Sequence, residues 1–98
     1  MDTTTRKNEP VCTESFTISN KLGLHARAAA SFVKIANRYQ CDIMVQKDGT
    51  NVNGKSIMGV LMLAACKGTI IEVKAAGFDS QDALRAIGTL INEKFGEE

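Results

Sequence analysis

The chain contains a single histidine, His25, so any imidazole chemistry runs through that residue. It stands in the run Lys21-Leu22-Gly23-Leu24-His25-Ala26-Arg27-Ala28-Ala29-Ala30, with a glycine shortly before it and an arginine shortly after. Downstream, Ala29, Phe32, Val33 and Ala36 recur at i, i+3, i+4 and i+7, which predicts an amphipathic helix over 26–37. His25 then falls at the N-cap or first helical position, where backbone N–H groups lack intrahelical acceptors and the helix dipole is positive. That location favours whatever anion becomes attached to a ring nitrogen. A phosphoryl group on His25 could accept hydrogen bonds from the N–H groups of Ala26 and Arg27, while the Arg27 guanidinium neutralises part of its charge. The plain alternative is a capping or surface histidine, and spacing alone leaves it open. No Ser or Cys lies in sequence reach to form a dyad with His25, and no His, Cys, Asp or Glu cluster has metal-ligand spacing. A histidine acting by itself suits phosphoryl carriage, because the ring is the nucleophile and partner proteins can bring the remaining catalytic groups.

The elements around it follow from periodicity. Cys12, Phe16 and Ile18 alternate with Thr13, Ser15 and Thr17, with Glu14 the misfit, which predicts a half-buried strand broken at 20–23. A second strand places Cys41, Ile43 and Val45 opposite Asp42, Met44 and Gln46. Asp48-Gly49 then predicts a two-residue type I′ hairpin, with a short return strand over 50–53. Ser56 can cap an apolar helix reaching Leu63 or slightly beyond, with Gly68 at the exit or turn. Residues 69–75 read as a strand in which Ile70 suggests partial burial on both faces, and Gly77 ends it. Asp79 or Ser80 caps a last helix carrying Ala83, Leu84, Ile87, Leu90, Ile91 and Phe95, with Gly96 as its stop. The order β-α-β-β-α-β-α, with alternating strands and one-sided helices, implies an α/β (α+β) open-faced two-layer sandwich, with one sheet face covered by helices.

Composition narrows the function classes. In 98 residues with 44% hydrophobic and 23% charged content, one domain over 11–98 fits, preceded by a polar arm over 1–10 that has no periodicity. A net charge of +1 and few aromatics give neither a phosphate-backbone footprint nor a stacking platform, which argues against nucleic acid. The longest nearly apolar stretch, 57–66, is about half the ~20 residues that cross a bilayer, and residues 1–10 lack the apolar core of a secretory signal. Cys12, Cys41 and Cys66 are odd in number and far apart, which points away from a disulfide framework or C-x-x-C site and toward buried thiols in a reducing cytoplasm.

Gly23-Leu24-His25-Ala26-Arg27 at a helix start resembles the active-site signature of the histidine-containing phosphocarrier protein (HPr) family of the bacterial phosphotransferase system. Asn53-Gly54-Lys55-Ser56-Ile57-Met58-Gly59-Val60-Leu61 resembles that family's regulatory serine segment, at a matching distance from His25. The resemblance spans about residues 12–95. It implies a four-stranded sheet covered on one face by three helices, and a cytoplasmic, monomeric carrier rather than an enzyme, with no cofactor or metal. Enzyme I, charged from phosphoenolpyruvate, would phosphorylate His25 at Nδ1, Arg27 would stabilise the phosphoryl group, and sugar-specific IIA proteins would receive it. Ile57, Met58 and Leu61 would form the docking patch, and Ser56 would be the target of an HPr kinase/phosphorylase. Phosphate on Ser56 would gain from the helix dipole yet place nearly two negative charges on that patch. Two features depart from the family: Ala28 stands where Pro is common, and the arm has no counterpart. The nitrogen-related paralogue, which serves a regulatory phosphorelay, remains the alternative. A small acylphosphatase-type hydrolase would need a strand-loop-helix Arg/Asn pattern absent here, and the presence of His25 argues against a pure interaction domain.

Overall fold

Alternation in four short segments sets the layers. Phe16 turns inward from β1 (Val11–Thr17), Ile43 and Val45 from β2 (Asp42–Lys47), and Ile71, Val73 and Ala75 from β4 (Ile70–Ala76), and all six are buried. The computed structural model describes residues 10–97, so the arm expected at 1–10 lies, except for Pro10, outside the described residues. β3 (Thr50–Asn53) completes an antiparallel sheet in the order β1-β4-β2-β3. Its hairpin with β2 closes at the Lys47–Thr50 pair through Asp48 (φ 50°) and Gly49 (φ 83°), the two positive-φ residues a type I′ turn demands.

β4 lies between β1 and β2, and β2 lies between β3 and β4, so two split β-α-β crossovers interleave. The second crossover runs the opposite way along the sheet and leaves a strand of opposite direction. The right-handed rule therefore puts both crossover helices on one face. These are α1 (Ala26–Ala36) and α2 (Ile57–Met62), and α3 (Ser80–Asn92) joins them on that face. Phe32 and Ala36 from α1, Val60 from α2 and Ile87 and Ile91 from α3 fill the core against the sheet, all essentially inaccessible. On the far face Thr13, Met44, Glu72 and Lys74 meet solvent.

Several local expectations are corrected. Ile70 is 64% exposed, because alternation from Ile71 places it on the open face with Glu72 and Lys74. α2 ends at Met62 and the chain leaves it through Ala64 (φ 49°), while Gly68 (φ 91°), expected at an exit or turn, forms the turn into β4. Lys47 Nζ donates to the Leu63 carbonyl at 3.0 Å, satisfying an acceptor that the helix end leaves open. α3 stops at Asn92, and Phe95 belongs to a following 3-10 turn, Lys94–Gly96, where its side chain is nonetheless buried. Cys41 is buried, Cys12 half-buried and Cys66 exposed, so burial does not account for all three thiols.

Neither Asp79 nor Ser80 caps α3 with its side chain. Ser80 is buried with its hydroxyl 3.4 Å from Cys12 Sγ. The Asp79 carboxylate instead accepts the N–H groups of Gln40 (2.8 Å) and Cys41 (2.9 Å), tying the start of α3 to the entry of β2. Burial, followed by the Asp79 carboxylate, pushes the Cys41 thiol up to about 11. Partial burial opposes ionisation of Asp79, but its hydrogen bonds from Gln40 N–H, the Cys41 thiol and Cys41 N–H together hold the carboxyl below its ordinary value. A depressed carboxyl adds stability above its unfolded pKa, and that stability is lost as pH falls through the folded value. The wild-type unfolding midpoint therefore drops more between pH 7 and pH 3 than that of Asp79→Asn in paired thermal melts; equal drops would show that the carboxylate contributes nothing.

Candidate functional site

The loop before α1 is placed by one close backbone approach. Leu24 N–H donates to the Ala65 carbonyl at 2.8 Å, and Gly23 takes φ 68° to reach that position. A Cβ at residue 23 would lie 2.5 Å from the Ala65 carbonyl oxygen and 2.8 Å from Cys66 Cα, so glycine is required both for conformation and for space. Asn20, fully buried, bridges the loop internally by donating Nδ2 to the Gly23 carbonyl at 2.8 Å. With the loop so held, His25 adopts an extended N-cap conformation (φ −77°, ψ −178°), and its carbonyl accepts the first helical bond from Ala29 N–H. Its side chain makes no cap hydrogen bond, which leaves the N–H groups of the first turn, Ala26 and Arg27 among them, without an intrahelical acceptor.

His25 and Arg27 open onto a surface depression of about 660 Å³, which Lys21, Leu22, Ala26, Gly96 and Glu97 also line. The His25 side chain is 30% exposed there. Positive helix terminus, guanidinium and partly open imidazole thus meet in one place, an arrangement able to form and hold an N–P bond. Ala28, where the family's Pro is common, is buried in the core as part of the same helix.

Glu97 was not legible from the sequence. Its Oε2 lies 2.5 Å from His25 Nε2, and its Oε1 accepts Asn20 Nδ2 at 2.9 Å. The Asn20 bond foremost, then the neighbouring His25 and Arg27, hold the Glu97 carboxyl below the usual range against the opposing effect of burial. These contacts join residues 72 and 77 positions apart, with no local motif to announce them.

Ser56 is the N-cap of α2, accepting Gly59 N–H on Oγ at 3.1 Å. It does not adjoin His25. α2 runs antiparallel to α1: its entry meets the end of α1, where Asn37 Nδ2 reaches the Lys55 carbonyl at 3.5 Å, and the chain beyond its exit meets Leu24. The two residues therefore lie near opposite ends of α1, a helix about 16 Å long. Along α2, Ile57 and Met58 are exposed, Leu61 is half-buried against the core, and Met62, which sequence reasoning passed over, is the most exposed at 75%. Among the described residues no cluster of His, Cys, Asp and Glu could hold a metal ion, and no helix is long and apolar enough to cross a membrane.

The protein is thus a small open-faced antiparallel sandwich that presents one histidine at a helix N-terminus beside an arginine. The family model described as "PTS HPr component phosphorylation site" matches residues 12–93, and the chain belongs to that HPr family. It is 51% identical over 84 residues to the phosphocarrier protein HPr of Neisseria meningitidis serogroup B, covering 86% of this chain and 94% of that one. It is 52% identical over 82 residues to the HPr of Pseudomonas aeruginosa, covering 83% and 91%. The crystal structure of an HPr from Thermoanaerobacter tengcongensis superposes with a TM-score of 0.86 at 44% identity, covering 89% of this chain and 98% of that one. The open-faced fold expected from the sequence is thus the fold of the family.

Gly23→Ala adds both a strained left-handed alanine and a backbone clash. Together these cost about 2–4 kcal/mol, read as a lowered denaturant midpoint with unchanged slope. A variant as stable as the wild type would mean that the loop relaxes without penalty.

Proposed function

We propose that this protein is a phosphocarrier that accepts a phosphoryl group on His25 Nδ1 from phosphorylated enzyme I and delivers it to sugar-specific IIA proteins. The observation that carries this reading is His25 at the N-cap of α1, its neighbouring N–H groups uncommitted and Arg27 beside it. Nδ1 attacks phosphorus, and the N–H groups of Ala26 and Arg27 together with the Arg27 guanidinium receive the phosphoryl oxygens. Enzyme I and the IIA protein supply the other catalytic groups, so the chain acts as a carrier rather than an enzyme. The work belongs to the cytoplasm, by a monomer folded from residue 11 onward. Ile57 and Met58, with Leu61 beneath them, form the shared docking patch, where flexible methionine suits successive partners. Ser56, at the far end of that patch, is the regulatory position: a phosphate on its Oγ would put charge where an apolar partner surface must sit.

Phosphoenolpyruvate with enzyme I should place one acid-labile, base-stable phosphoryl group on the protein, and His25→Ala should take none. Stable labelling of His25→Ala would refute the assignment.

HPr kinase with ATP should add an acid-stable phosphate that Ser56→Ala does not accept. That variant also loses the cap and about 1 kcal/mol of stability in denaturant unfolding. Label persisting in Ser56→Ala would place the regulatory site elsewhere.

A further inference from the structure

The carboxylate on His25 comes from the end of the chain, and the fold takes an unusual route to put it there. After α3, Lys94, Phe95 and Gly96 all adopt positive φ (57°, 57° and 73°), a left-handed run that non-glycine residues enter only at a cost. The reversal buries Phe95 and brings Glu97 back over the start of α1. There Asn20 is fully inaccessible, and its Nδ2 is fully committed, donating to the Gly23 carbonyl and to Glu97 Oε1. Asn20 Oδ1, buried and without a partner among the described residues, marks the amide as fixed by what its nitrogen must donate. The Glu97 side chain is only 13% exposed, so its carboxylate is held rather than waving in solvent.

We propose that Glu97 is a positioning residue for phosphoryl transfer, oriented by Asn20 and acting through His25 Nε2. This rests on the carrier reading above. With Nε2–H donating to Glu97 Oε2, the lone pair is on Nδ1. As that pair forms the N–P bond, the bond from phosphorus to the donor breaks and its electron pair leaves with the donor. The ring keeps its Nε2 proton and gains positive charge, which the fixed carboxylate stabilises. In delivery the acceptor's nucleophile bonds to phosphorus, the N–P pair returns to Nδ1, and the ring loses that charge. A carboxylate also repels phosphoryl oxygens. Here it meets the ring at the nitrogen opposite the one attacked, with Arg27 close enough to lower its charge's reach.

The test compares wild type, Glu97→Gln and Glu97→Ala, with Glu93→Gln as a control of equal charge change at an exposed site on the same tail. Initial rates of His25 labelling from phosphorylated enzyme I should fall about tenfold in both Glu97 variants and stay at the wild-type value in Glu93→Gln. Thermal melts of the same samples separate this from loss of fold. Nitrogen-15 spectra provide a readout independent of labelling: wild type should show a hydrogen-bonded Nε2–H proton on His25 that is absent in Glu97→Ala. Equal or faster labelling of Glu97→Gln, or a wild-type ring without that proton, overturns the inference while leaving the carrier reading intact. A wild-type protein that takes no label overturns both.

Discussion

The hydrogen bond from Leu24 N–H to the Ala65 carbonyl is the contact on which the site depends. It joins the loop that ends in His25 to the chain leaving α2, and it can form only because residue 23 has no Cβ. From that single approach follow the point at which α1 begins, the extended backbone of His25, and the uncommitted N–H groups of the first turn. Dipole, donors and arginine are general properties of a helix start with this sequence. Their convergence on one imidazole is a property of where the loop is pinned.

The same contact couples the two helices that bear the proposed site residues. α1 and α2 lie antiparallel, fastened near one end by Leu24 and Ala65 and at the other by Asn37 and Lys55. Lys55 Nζ also donates to the Tyr39 carbonyl at 2.7 Å, closing the chain beyond α1, and Lys47 serves Leu63 beyond α2. An α2 of six residues is too short to persist on propensity alone, so these tertiary anchors and the burial of Val60 hold it in place. The Ser56 side chain, as N-cap, is part of the same anchoring, since its Oγ accepts the Gly59 N–H.

Much of this was legible in the sequence because it is written in short-range physics. Alternation placed Ile43, Val45, Ile71 and Val73 inside, the Asp48-Gly49 pair predicted its turn, and the stripe from Ala29 to Ala36 predicted α1 and hence the position of His25. What escaped depends on distant partners. Asp79 looks like a cap, but two N–H groups at the entry of β2 claim its carboxylate. Phe95 continues the helical stripe of α3 yet buries itself from a reversed turn, because packing rather than periodicity decides its backbone. Ala64 takes the left-handed turn where glycine would be the ordinary choice, a substitution that local propensity gives no reason to expect. Glu97 reaches His25 only through that reversed tail.

An open site and a held carboxylate answer opposite demands. Closing a pocket around His25 would strengthen every electrostatic contact within it, but on the proposed carrier reading it would also bar the second of two partners from the same nitrogen. In the open depression solvent weakens each contribution, so orientation matters more: under the proposed transfer, a ring free to rotate would offer Nδ1 to the donor only part of the time. A carboxylate anchored from below by a buried amide restrains the ring without covering its other edge. A chain of 98 residues has little interior to spend on a pocket, and fixing one ring by a tail that folds back requires none.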